Sequence, residues 1–159
     1  MTIISRIFRF LPATLILAAI LLAVLPGSGR AAELANGQTV YVSIYSHVYS
    51  GDRERPYLLT ATLSLRNTDP DHAITILAAD YYDSDGKLLK HYLEEPLVLP
   101  PLASSRVVVA ESDRKGGSGA KFIVRWSAER KVNVPIIEGV MIGTAMQQGI
   151  SFVTQGRVI

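Results

Sequence analysis

The sequence predicts an all-β protein, a single antiparallel two-sheet sandwich of immunoglobulin-like kind, with a Greek-key barrel as the alternative. Three observations carry this expectation. Apolar and polar residues alternate with a period of two through most of the chain after residue 40. The alternating runs are short, and Gly, Pro, Asn and Asp separate them. No stretch is left with the helical period that the crossovers of a parallel sheet require. About seven to nine short strands with turns every 8–12 residues match a sandwich.

The first run is Val40 to Tyr49, with Val40, Val42, Ile44 and Val48 on one face and Tyr41, Ser43, Tyr45, His47 and Tyr49 on the other. The charged loop from Gly51 to Pro56 closes it. The second run, Tyr57 to Asn67, sets Leu59, Ala61, Leu63 and Leu65 against Thr60, Thr62, Ser64 and Arg66. Asn67 to His72 is a turn with Pro70 fixing φ. A third run spans Ala73 to Asp83, and Ser84-Asp85-Gly86 makes a tight hairpin in which glycine takes positive φ. Lys87 to Leu93 returns as the fourth run. Pro96, Pro100 and Pro101 confine Leu97–Leu102 to an edge strand or a crossover, because proline donates no ladder hydrogen bond. Arg106 to Ala110 and Phe122 to Ser127 are further strands, separated by the glycine-containing loop Asp113 to Ala120. Ile136 to Ala145 and Ile150 to Ile159 close the domain as a hairpin.

Residues 1–31 are read apart from this domain. Arg6 and Arg9 precede an apolar run from Phe10 to Leu25, and Pro26 to Ala31 supplies helix breakers and small residues. That order is the pattern of a secretory signal peptide, with cleavage after Ala31. The run is shorter than the roughly 20 residues a spanning helix needs, so an uncleaved N-terminal anchor at residues 10–25 is the second reading. The expected organisation is therefore a leader at 1–31, a short linker at 32–39 and the sandwich at 40–159. The expected location is periplasmic or extracellular.

Removing residues 1–31 takes Arg6, Arg9 and Arg30 with no acidic residue, which turns the formal net charge of +2 into −1. No basic stripe remains to follow a phosphate backbone, so a nucleic-acid partner is disfavoured. The chain has no cysteine, which excludes a disulfide framework and thiolate chemistry.

Several stretches carry a resemblance. Tyr45-Ser46-His47, LTATLSLRNTDP (Leu59 to Pro70), YYDSDGKL (Tyr81 to Leu88), Glu111 to Trp126 and Val140 to Ile159 resemble an uncharacterised family of exported bacterial proteins, domain of unknown function 3124. Together they span nearly all of the chain after the leader. The resemblance implies export and one compact domain. It brings no activity, cofactor or catalytic residue with it.

The candidate sites are few. Asp83-Ser84-Asp85-Gly86 has the start of a calcium loop but lacks the third acid and the distal Glu, and a hairpin turn accounts for each residue. His47, Asp80, Asp83 and Asp85 are retained as metal candidates, and His72 and His91 complete the histidines. No metal or cofactor is assigned. Ser46-His47 with Asp69, Asp80 or Asp83 can be drawn as a hydrolytic triad, but neighbours on a strand point to opposite faces, and no nucleophile elbow is present. Glu94-Glu95 and Glu111 with Asp113 read as solvated loop ends. No catalytic residue is assigned. The face of Tyr41, Tyr45, His47 and Tyr49 is the candidate partner-binding surface, since aromatic rings with polar tips suit sugars or a protein partner. The sequence is thus read as an exported, non-catalytic module binding a protein or envelope component. A metal-binding periplasmic protein is the second reading and a hydrolase the third.

Overall fold

The structure, a computed structural model, describes residues 33–145 and 148–159. The expected signal segment, residues 1–31, lies outside the described residues. Among the described residues, twelve strands run in the order β1 Leu34–Ser43, β2 His47–Ser50, β3 Arg55–Leu58, β4 Thr60–Arg66, β5 Ile74–Tyr82, β6 Leu88–His91, β7 Leu97–Leu99, β8 Ser104–Val109, β9 Lys121–Asn133, β10 Ile136–Ala145, β11 Gln148–Gln155 and β12 Arg157–Val158.

All pairings are antiparallel. One sheet has the order β12-β1-β9-β5-β6, with β7 also on β5. The other has the order β11-β10-β4-β8. The two sheets stay open, which settles the architecture as a sandwich and not a barrel. A separate hairpin, β2-β3, completes the fold.

The period of two sets the core directly, because successive side chains point to opposite faces. Val40, Val42, Phe122, Val124, Trp126, Ile74, Ile76 and Tyr81 are buried from the first sheet. Ala61, Leu63, Leu65, Val109, Ile137 and Met141 meet them from the second. The proline-bracketed segment is an edge strand, as expected, with β7 held only by β5. The Asp83 turn is the expected hairpin. Gly86 has φ 83°, and Asp83 Oδ1 accepts the amides of Asp85 (3.0 Å) and Lys87 (2.8 Å).

Four boundaries differ from expectation. The first run is two strands. At Ile44 and Ser46 the backbone leaves β9 and bonds to the glycine loop instead, Ile44 N–H to Ala120 C=O and Ser46 N–H to Gly117 C=O. The second run also divides, at Leu59, whose N–H reaches Ser46 C=O. The last run divides at Gly156, where β11 in one sheet passes to β12 in the other. Finally, β1 starts at Leu34, so most of the stretch read as a linker is strand, paired with β9 from Asn133 through a register shift between Ala35 and Gly37.

The turn after β4 joins both sheets. Buried Asn67 donates through Nδ2 to the carbonyls of His72, Leu99 and Pro100, and its Oδ1 accepts Asp69 N–H. Asp69, also buried, accepts Asp71 N–H, His72 N–H and the His72 ring on Oδ1, and Asn133 N–H on Oδ2. These donors, led by the amides of Asn133 and Asp71, lower the Asp69 pKa from 3.8 to about 2. A carboxyl whose pKa is depressed by folding stabilises the native state above its unfolded pKa, and that stability is lost as pH falls toward the folded value. Asp69→Asn should therefore melt at a lower temperature than the parent at neutral pH. The two melting curves should converge as pH falls from about 4 to about 2. Thermal unfolding followed by circular dichroism across this range measures both effects.

Candidate functional site

Tyr57 pegs the β2-β3 hairpin to the sandwich. Its hydroxyl accepts Ala145 N–H (2.8 Å) and donates to Gly143 C=O (3.3 Å) at the end of β10. Close approach at this point depends on Gly143, since an added Cβ would lie 2.6 Å from Leu58 O and from the Tyr57 ring. The tip of the hairpin turns through Gly51 (φ 67°) and Glu54 (φ 47°), closed by Glu54 N–H to Gly51 C=O.

Between this hairpin and the β10-β11 end lies an open cleft of about 840 Å³. Val48, Tyr49, Pro56, Tyr57, Leu58 and Ile150 form most of its apolar wall. Arg53, Arg55, Asp52 and Glu111 give it both signs of charge. Tyr49 is 56% exposed, so its ring stands available at the cleft. His47 Nε2 lies 3.1 Å from the Tyr49 hydroxyl, with the rings edge to face at 5.0 Å. This contact orients Tyr49 from behind. A wall that is mostly apolar and aromatic, with a few charged groups, is the usual make-up of a recognition cleft.

The four residues expected to share a binding face are only partly together. His47 and Tyr49 meet on β2. Tyr45 lies in the break between β1 and β2, edge to face with Phe152 at 5.6 Å. Tyr41 is in the other sheet, directly across from Ile123 and Arg157. The strand break separates them. Pro56, Tyr57, Ile150 and the arginines escaped the sequence reading because Gly51–Pro56 reads as an ordinary charged turn and Ile150 comes from the far end of the chain.

The acid and histidine candidates each have local partners. Asp80 Oδ1 lies 2.7 Å from His91 Nδ1, and its Oδ2 lies 3.9 Å from Arg125. Asp83 caps its own turn. Asp85 is exposed at the tip of that turn. His72 belongs to the Asp69 corner. Among the described residues, no three His, Asp or Glu side chains converge as a metal site. Ser46 is fully buried with its hydroxyl 3.0 Å from that of Tyr81, so His47 and Ser46 do not face each other. Burial pushes the Tyr81 phenol above its ordinary pKa.

The fold and the cleft together define an antiparallel β-sandwich domain with an open cleft at one end. Residues 37–159 match the family described as protein of unknown function (DUF3124), and the chain belongs to that family. No curated protein matches the sequence. Among solved structures, the chain is similar to Thermotoga maritima 1070, with 12% identity and a TM-score of 0.47 over 76% of this chain and 92% of that one.

Tyr57→Phe removes the hydroxyl that bridges Gly143 and Ala145. Each lost hydrogen bond of this kind costs about 1 kcal/mol, and a half-buried amide left without its acceptor adds to that. We expect a loss of about 1–2 kcal/mol in urea unfolding. Amide exchange should accelerate at Val48 to Leu58 while the central strands keep their protection.

Proposed function

We propose that this protein is an exported, non-catalytic binding module that receives a protein or other envelope component in the cleft beneath the β2-β3 hairpin. The observation that carries this reading is the cleft itself: an open, largely apolar and aromatic concavity built on a rigid sandwich. The wall suits an exposed loop or extended segment whose apolar side chains enter between Tyr49 and Ile150, with polar groups near the arginines and Glu111. Export is supported by the basic, apolar and small-residue order of residues 1–31.

A photoreactive residue placed at Arg53, on the cleft, and at Arg66, on an outer sheet face, tests the proposal in cells producing the full chain. We expect a discrete adduct from position 53 that is absent from position 66. The adduct should be lost when Tyr49→Ala is added, with the circular dichroism spectrum unchanged. Equal labelling from both positions, or labelling indifferent to Tyr49, would refute a binding role for the cleft.

A further inference from the structure

Among the described residues, the outermost strands of the two large sheets are guarded except one. An unpaired edge presents free N–H and C=O groups, and folded proteins blunt it with charge, proline, bulges or shortness. Here β12 is two residues long and includes Arg157. β7 is three residues long between Pro96 and Pro100. β6 carries Lys90 and faces a register shift at Tyr81. β8 follows two prolines and carries Arg106 at its centre. By contrast, β11 is eight residues, Gln-Gly-Ile-Ser-Phe-Val-Thr-Gln, with no charge and no proline. It pairs with β10 over eight positions without a shift, and among the described residues no strand lies on its other side.

The phase of the ladder identifies the free groups. Asn67 N–H bonds to Ala103 C=O, and Gly156 N–H bonds to Ile137 C=O. Hydrogen-bonded and non-bonded pairs alternate along an antiparallel ladder. The first bond therefore turns the odd-numbered residues of β4 toward β8 and its even-numbered ones toward β10. The second, in agreement, turns the even-numbered residues of β11 toward β10. The N–H and C=O groups of Gly149, Ser151, Val153 and Gln155 thus point away from the sheet. All four residues are exposed, Val153 to 55%.

We propose that β11 pairs with β11 of a second copy of this chain, antiparallel about a two-fold axis at Phe152. This register sets Gly149 opposite Gln155 and Ser151 opposite Val153, so every outward backbone group finds a partner. A row of alternating backbone donors and acceptors is covered by a strand, and a second copy of β11 matches it in length and brings no charge conflict. With no charge anywhere on β11, no like charges are opposed across the axis. Phe152 then meets its symmetry mate as a non-bonded pair, where side chains come closest. Tyr45 already stands edge to face against Phe152, which extends the aromatic contact on both sides of the axis. The interface is isologous, the commonest form of closed assembly.

Sedimentation equilibrium of the purified protein over a concentration series tests the proposal, and we expect the mass to approach twice that of the monomer. Ser151→Pro removes an outward N–H while leaving the β10 ladder intact, and should return the protein to monomer. Val153→Lys should do the same by placing charge beside the axis, and it decides the case if the proline variant fails to fold. The absence of native cysteine gives a direct register test. Under oxidation, Phe152→Cys should form a disulfide-linked dimer, whereas Ile150→Cys, which would face Thr154 of the other copy, should not. A parent that remains monomeric at all concentrations, or folded Ser151→Pro and Val153→Lys variants that remain dimeric, would overturn the proposal. Equal cross-linking at positions 150 and 152 would also overturn it.

Discussion

The sandwich depends on the corner at Asn67, Thr68 and Asp69. Two β-sheets packed through apolar side chains attract each other without direction, so packing alone does not fix which strand end meets which. The corner supplies that direction. Asn67 ends β4 in one sheet and bonds to the carbonyls of Leu99 and Pro100, just where β7 leaves the other sheet. Thr68 bonds to Val134 C=O, and Asp69 accepts the Asn133 amide, at the turn where β9 gives way to β10. Leu102 N–H returns to Asp69 C=O from the approach to β8. One tripeptide, itself on the β4–β5 crossing, thus holds the β7–β8 and β9–β10 crossings as well. Removing one partner would leave buried polar groups unpaired, so the corner is cooperative.

Fixing one end frees the other. The β2-β3 hairpin, the Asp83 turn, the glycine loop and the β10-β11 end share the opposite end of the sandwich. Their backbone groups are met by short bonds between loops, such as Ser46 N–H to Gly117 C=O and Ser84 N–H to Gly116 C=O. The hairpin hangs from the sheet through Leu59, Tyr57 and the space that Gly143 leaves open. The result is a fixed frame at one end and a set of surface connections, with the cleft among them, at the other.

The sequence made the side-chain phase legible and left the backbone partners hidden. Val40, Val42, Ile44 and Ser46 are all buried, and so are Leu59, Ala61, Leu63 and Leu65. The alternation passes straight through the breaks at Ile44–Ser46 and at Leu59. Burial of every second side chain is preserved while hydrogen bonding switches from β9 to the glycine loop. A pattern of polarity reports which face is inside, not which strand lies alongside. The Asp83 hairpin and the proline-bracketed edge were legible because their signals are local and covalent in origin. The cleft was not, because its walls come from Tyr49, Tyr57, Glu111 and Ile150, brought together only by the crossover of the last hairpin. The tyrosines of the first run were grouped by spacing alone, and the strand break sends Tyr41 to one sheet and Tyr49 to a separate hairpin.

The bare edge and the cleft are linked through β11. Ile150 forms part of the cleft wall, and Phe152, two residues on, lies at the proposed axis. Because paired strands in an isologous ladder run in opposite directions, the two clefts would open at opposite ends of the joined sheet. Each cleft would keep its own hairpin, and neither would obstruct the other. Such a dimer cannot close both sites on a single small ligand. It can hold two separate partners, or two points on one extended partner, and gain effective concentration from the fixed spacing between them. If the cleft binds as proposed, a single copy offers one point of attachment. The proposed pairing would offer two at a fixed spacing, and the feature that would create it is a single uncharged strand.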